Sequence, residues 1–147
     1  MIDPVHITNF NRTYDELEEF LIFAACVPGK TAHVIAKKVD QLLAPRKRHD
    51  LSPFGYLWQL VLYGHLRRRL QTVKMGRYNV LTPCLSELAC LVSHMMLDLR
   101  ECSLRTLRRL PGVGPKTARF FILHSRQGEK LAVLDTQQGR LAFPRLA

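Results

Sequence analysis

Residues 110–135 read LPGVGPKTARFFILHSRQGEKLAVLD, and this stretch decides the fold. It opens on a hairpin, Pro111-Gly112-Val113-Gly114, set between two helical patterns. Upstream, Ser103 is placed to cap a short helix carrying Leu104, Leu107 and Leu110. Downstream, Pro115 falls at a first helical position, which suits its fixed φ and missing N–H. Ala118, Phe121, Ile122 and Ser125 then recur at the spacing of one helix face. Two glycines one residue apart permit positive φ and let a phosphate approach the backbone. Amides at a helix start point outward from a positive dipole end and make an anion site. The expectation is helix, phosphate-binding hairpin, helix.

Charge supports a polyanionic partner. The 147-residue chain carries a formal net charge of +10 and is 47% hydrophobic, ordinary for a globular protein with one core. No acid lies between Glu101 and Glu129, whereas Arg105, Arg108, Arg109, Lys116, Arg119 and Arg126 all fall inside. A merely solvated basic face is the alternative, but the basic run coincides with the hairpin, which favours nucleic acid. Cys26, Cys84, Cys90 and Cys102 lack paired spacing and read as buried or free thiols in a reducing cytoplasm. The six histidines form no zinc pattern, so no metal is expected. The start Met1-Ile2-Asp3-Pro4 lacks a signal-peptide pattern, and no run is long enough to span a bilayer, so no membrane partner is expected.

The rest of the chain reads as helices with short connections and almost no strand. After an irregular lead-in over residues 1–12, Thr13 and Glu16 form a capping-box pattern. The helix that follows carries Leu17, Phe20, Leu21 and Ala24 on one face, widens toward Val27, and stops at Pro28-Gly29. Residues 31–43 predict a second helix with Val34, Ile35, Val39, Leu42 and Leu43 apolar, ended by Pro45. Arg46-Lys47-Arg48-His49 reads as a basic loop, either a phosphate contact or a solvated turn. Ser52-Pro53 starts a helix that runs in pattern to Val73, with Gly64 a candidate break and Trp58 read as core rather than a stacking platform. Gly76-Arg77-Tyr78-Asn79 reads as a loop. Thr82-Pro83 reads as a new helix start, followed by a core stripe of Leu85, Leu88, Leu91, Val92, Met95 and Met96. The count is about six helices in one all-α domain over residues 1–147.

Leu110, Pro111, Gly112, Val113, Gly114, Lys116, Thr117 and Ala118 stand in the order of a known motif. The segment resembles the helix-hairpin-helix of the DNA glycosylase superfamily that includes endonuclease III. The resemblance covers residues 13–135 by order of helices, as a multi-helix barrel lobe, and residues 110–135 by specific motif. It implies that Lys116 is a nucleophile and that Asp135, closing the apolar run Leu131 to Leu134, is the catalytic carboxylate. It also implies DNA contacts at Leu110, Gly112, Val113, Gly114, Thr117 and Arg119. In the family the first helix ends at a loop that can wedge into the DNA stack. Cys26 stands by rough register where endonuclease III has a glutamine, but reads better as a small buried apolar residue. The stretch Gly76 to Asn79 is similar to the family's G-x-Y-N.

The chain also departs from the pattern. Gln137 stands where the family has histidine, and the tail over residues 136–147 is short where the enzymes continue into a second lobe. The family's iron–sulfur cysteines are absent, so no cofactor is expected. A homodimer or partner subunit could complete the DNA cleft.

The chemistry implied is that of a base-excision glycosylase with AP-lyase activity on double-stranded DNA holding a damaged, mismatched or abasic site. A carboxylate at Asp135 would stabilise positive charge on the sugar. An amine attacks only when neutral, and cations and desolvation favour that form. The base must leave the stack first. Plainer roles stay open: Lys116 as a phosphate contact, Asp135 as a helix cap, and His124 at a helix end rather than in the site. On those roles the chain would be a non-catalytic DNA-binding protein or a degenerate relative.

Overall fold

A computed structural model describes residues 1–128, and among them every regular element is helical. Seven α-helices are present: α1 (Tyr14–Cys26), α2 (Ala32–Leu43), α3 (Pro53–Leu62), α4 (Leu66–Thr72), α5 (Tyr78–Ser93), α6 (Leu104–Arg108) and α7 (Pro115–Ser125). A 3₁₀ helix, Ala44–His49, follows α2 directly.

Helix α1 is the centre of the bundle and packs against α2, α3, α5 and α7. Its start is a complete capping box: the Glu16 N–H donates to Thr13 Oγ1 (3.2 Å) and the Thr13 N–H to Glu16 Oε1 (2.8 Å). From Phe20 to Cys26 every residue is buried, so the apolar face does widen into a fully enclosed helix. One of its buried residues is an acid. Glu18 accepts the Phe54 N–H at 2.8 Å, while Ser52 Oγ accepts that of Gly55 at 3.0 Å. The two side chains together satisfy the start of α3, which Pro53 opens without needing a donor.

Several boundaries differ from the sequence reading. Val34 is 47% exposed, because the buried face of α2 is Ile35, Ala36, Val39, Leu42 and Leu43. Pro45 does not end the chain's winding. It sits in the first turn of the 3₁₀ helix, where its missing N–H costs nothing, so Arg46 to His49 is not a loop. Arg46 turns back to donate to the Leu51 carbonyl at 3.0 Å and to pair with Asp15 at 3.4 Å. Gly64, at φ +71°, does split the long pattern into α3 and α4, which makes seven α-helices among the described residues rather than six.

The start of α5 is the largest correction. Tyr78 and Asn79 are helical, and Pro83 lies inside α5 rather than opening it. A proline in a helix interior costs ~3 kcal/mol. Against that, starting at Tyr78 buries Leu81 in the first turn, a gain of about 1.5–3 kcal/mol, and extends the packing of α5 on α3 and α4. The other end of α5 is shorter than the stripe implied. It stops at Ser93, and Met95 adopts φ +57°. Met95 and Met96 are therefore 91% and 70% exposed, not core, while Leu85, Leu88 and Val92 are buried. Trp58 is half-buried at the edge of the core, with His94 meeting it edge-on at 5.3 Å.

Candidate nucleic-acid interface

Helices α6 and α7 pack on each other and are joined by a tight turn. The Ser103 hydroxyl accepts the Thr106 N–H at 3.0 Å and so caps the five-residue α6. The turn is closed by the Leu110 N–H on the Leu107 carbonyl (3.2 Å) and the Val113 N–H on the Leu110 carbonyl (3.1 Å). Gly112 has φ +78°, and a Cβ there would lie 2.8 Å from Cys84 Cβ and 3.2 Å from its Sγ. Both the conformation and the close approach to α5 require glycine. Gly114 is different. Its φ of −83° and ψ of 177° are extended, and a Cβ there would meet nothing within 4 Å. It is the N-cap of α7 and offers no side chain to cover the helix start. Pro115 then occupies the first turn as expected, and the amides of Lys116 and Thr117 follow where no helical carbonyl can accept them.

The expected contact residues divide by burial. Gly112, Gly114 and Lys116 are exposed, and Arg119 is half-buried. Val113 is buried in the core, and its amide is spent inside the turn, so its side chain anchors the turn rather than facing outward. Leu110 packs half-buried against the same core, and Thr117 is buried. The buried face of α7 is Ala118, Phe121, Ile122 and Ser125, the face its spacing indicated. Asp135 lies outside the described residues.

Lys116 and Thr117 border an open cleft of about 400 Å³. Phe120 forms one wall from α7, and Ala24, Val27, Pro28 and Gly29 form the other from the end of α1 and the turn after it. The two walls are held together through Phe20, whose ring stacks on Phe121 at 5.7 Å and meets Phe120 at 5.5 Å. From the residues alone Pro28-Gly29 reads as a helix stop, and the resemblance implies a loop there that can wedge into the DNA stack. Its position opposite Lys116 depends on the packing of α1 on α7, which no local pattern encodes.

The N-terminal segment straps the far end of α7. Arg12 is buried with its guanidinium 3.9 Å from the Phe20 ring centroid. It donates to the carbonyls of Ile7 (2.6 Å), Asn9 (3.0 Å) and His124 (2.9 Å). His124 Nδ1 lies 2.6 Å from Thr8 Oγ1, and burial with the nearby Arg12 charge holds its pKa below the ordinary imidazole value. His124 thus serves a tethering role at the helix end. Cys26 is fully enclosed, and desolvation pushes its thiol up to about 12, so it is a core residue and not an exposed wedge.

The basic run keeps its character with one exception. Arg105, Arg108 and Arg109 are exposed on and beside α6. Arg126 instead points inward, donating to the Leu99 carbonyl (3.1 Å) and to Cys102 Sγ (3.4 Å). Met1–Glu19, His6–Asp3 and Arg46–Asp15 form ion pairs elsewhere among the described residues. Among the described residues no three His, Cys, Asp or Glu side chains converge to hold a metal, and no helix is long and apolar enough to cross a membrane. Comparison with family models, curated proteins and solved structures finds no match to this chain.

Proposed function

We propose that this protein binds double-stranded DNA through the α6–α7 turn and acts there as a helix-hairpin-helix DNA glycosylase with AP-lyase activity. One observation carries the reading: Lys116 stands at once beside the uncovered start of α7 and at the mouth of an apolar cleft. The first feature suits a backbone phosphate, and the second suits an extruded nucleoside. A phosphate held by the amides near Gly112 and Gly114 would bring the flipped sugar to the amine.

The chemistry follows from the bond to be broken. Cleavage of the glycosidic bond develops positive charge on the sugar, which the Asp135 carboxylate would stabilise. The Lys116 amine attacks the anomeric carbon as the base leaves, and the resulting Schiff base permits β-elimination of the 3′ phosphate. Helix α7 spans about 16 Å, and the chain from Gly128 to Asp135 can extend about 23 Å, so its length allows the carboxylate to return to the amine. A second reading, a non-catalytic DNA-binding module, is favoured by the exposure of Lys116, which equally suits a simple phosphate contact.

Incubation with duplexes carrying abasic sites and a panel of damaged bases tests the reading. Strand cleavage by the intact protein, lost in Lys116→Gln with duplex affinity kept within about threefold, supports the enzyme. Binding without cleavage of any substrate supports the module.

A further inference from the structure

A second surface carries the same chemistry away from the hairpin. Residues 51–86 contain no aspartate or glutamate, yet they include Arg67, Arg68, Arg69, Lys74 and Arg77. Three of these arginines begin α4. Just before it, the α3–α4 corner turns at Gly64, and Tyr63 is left 69% exposed. Its ring stacks on His65 at 6.3 Å with an interplanar angle of 27°. Arg67 is held in place by donating to Asn79 Oδ1 at 3.1 Å and by lying 5.8 Å from the Tyr78 ring centroid. Arg68 is exposed beside it, and among the described residues neither arginine has an ion-pair partner.

We propose that this corner binds single-stranded nucleic acid, stacking an unpaired base on Tyr63 and holding its phosphates with Arg67 and Arg68. An open aromatic face beside unneutralised arginines is the combination that single strands require, since every base has a π face and every phosphate a charge. The exposed ring favours this occupant over an acidic protein, which would pair with the arginines but leave Tyr63 without a stacking partner. The corner also adjoins the proposed hairpin. Arg67 touches Asn79, and the Gly112 Cβ position is 3.5 Å from Val80 Cγ1. Asn79 and Val80 are neighbours, so the Arg67 guanidinium lies within about 17 Å of Gly112, a few nucleotides away. The site rests on the reading of the chain as a nucleic-acid binder and not on the chemistry of Lys116.

Fluorescence anisotropy with labelled oligodeoxythymidine, and with a duplex of equal length, tests it. Tyr63→Ala should weaken oligodeoxythymidine binding about 5- to 150-fold, and Tyr63→Phe should restore it. Arg67→Ala/Arg68→Ala should flatten the slope of log affinity against log salt by roughly 1.4. Single-strand binding unchanged in these variants, or a loss confined to the arginine pair, would overturn the site. Duplex binding with no single-strand binding would overturn this site and leave the hairpin standing, whereas binding to neither would overturn both. Loss in Tyr63→Ala of binding to anionic phospholipid vesicles, with oligodeoxythymidine unaffected, would also overturn it and assign the corner to a membrane surface.

Discussion

Gly112 and Gly114 look alike in the sequence and differ in what the fold asks of them. Gly112 needs positive φ and has the Cys84 side chain against it, whereas Gly114 needs neither. Gly112→Ala should therefore cost about 1–3 kcal/mol, from backbone strain and the clash with α5. Gly114→Ala should change stability by no more than about 0.5 kcal/mol. Urea denaturation of both variants checks the contrast, and equal losses would contradict it. At this scale the sequence was partly legible. The spacing of Ala118, Phe121, Ile122 and Ser125 identified the buried face of α7, because helical period is local information. That Val113 points inward while Lys116 faces out depends on where α5 sits, and α5 is remote in the chain.

At the scale of elements, Glu18 joins α1 to α3 by capping Phe54 from the core. Glu18→Ala leaves that amide unsatisfied and should cost about 1–3 kcal/mol, while Glu18→Gln keeps an acceptor. Burial raises the Glu18 pKa above its ordinary 4.5, so the fold favours the protonated form. The associated stabilisation is full below the ordinary value and is lost as pH rises through the folded one. Glu18→Gln should therefore equal or exceed the wild type at pH 7 and lose that advantage below about pH 4. Thermal melts across pH 3–8 check the sign, and an advantage that grows on acidification would contradict it. Capping signals were the most legible element markers: Thr13, Ser52, Ser103 and Pro115 all begin helices as their chemistry indicates. Thr82-Pro83 carries the same local signal and misleads, because burial of Leu81 and packing on α3 outweigh the cost of an internal proline. Met95 and Met96 mislead for the opposite reason: the helical period continues in the letters after the backbone has left the helix at Ser93.

At the scale of the whole molecule, all-α architecture follows from capping and period. The apolar cleft does not, since it needs α1 and α7 brought side by side. A net charge of +10 with Arg105, Arg108 and Arg109 exposed near the α6–α7 turn makes phosphate-led binding the expected mode. Duplex affinity should fall steeply with salt, and Arg105→Ala/Arg109→Ala should flatten that slope by roughly 2 if each side chain neutralises one phosphate. A salt-independent affinity would remove phosphate contacts from the interface altogether.

On the proposed function, the Lys116 amine forms a covalent bond to a deoxyribose. Borohydride reduction of the protein mixed with an abasic-site duplex, followed by a denaturing gel, tests it directly. The expected result is a protein–DNA adduct in the wild type that disappears in Lys116→Gln, with the labelled peptide mapping to residues 115–119. Duplex binding without any adduct, or an adduct that persists in Lys116→Gln, would contradict it.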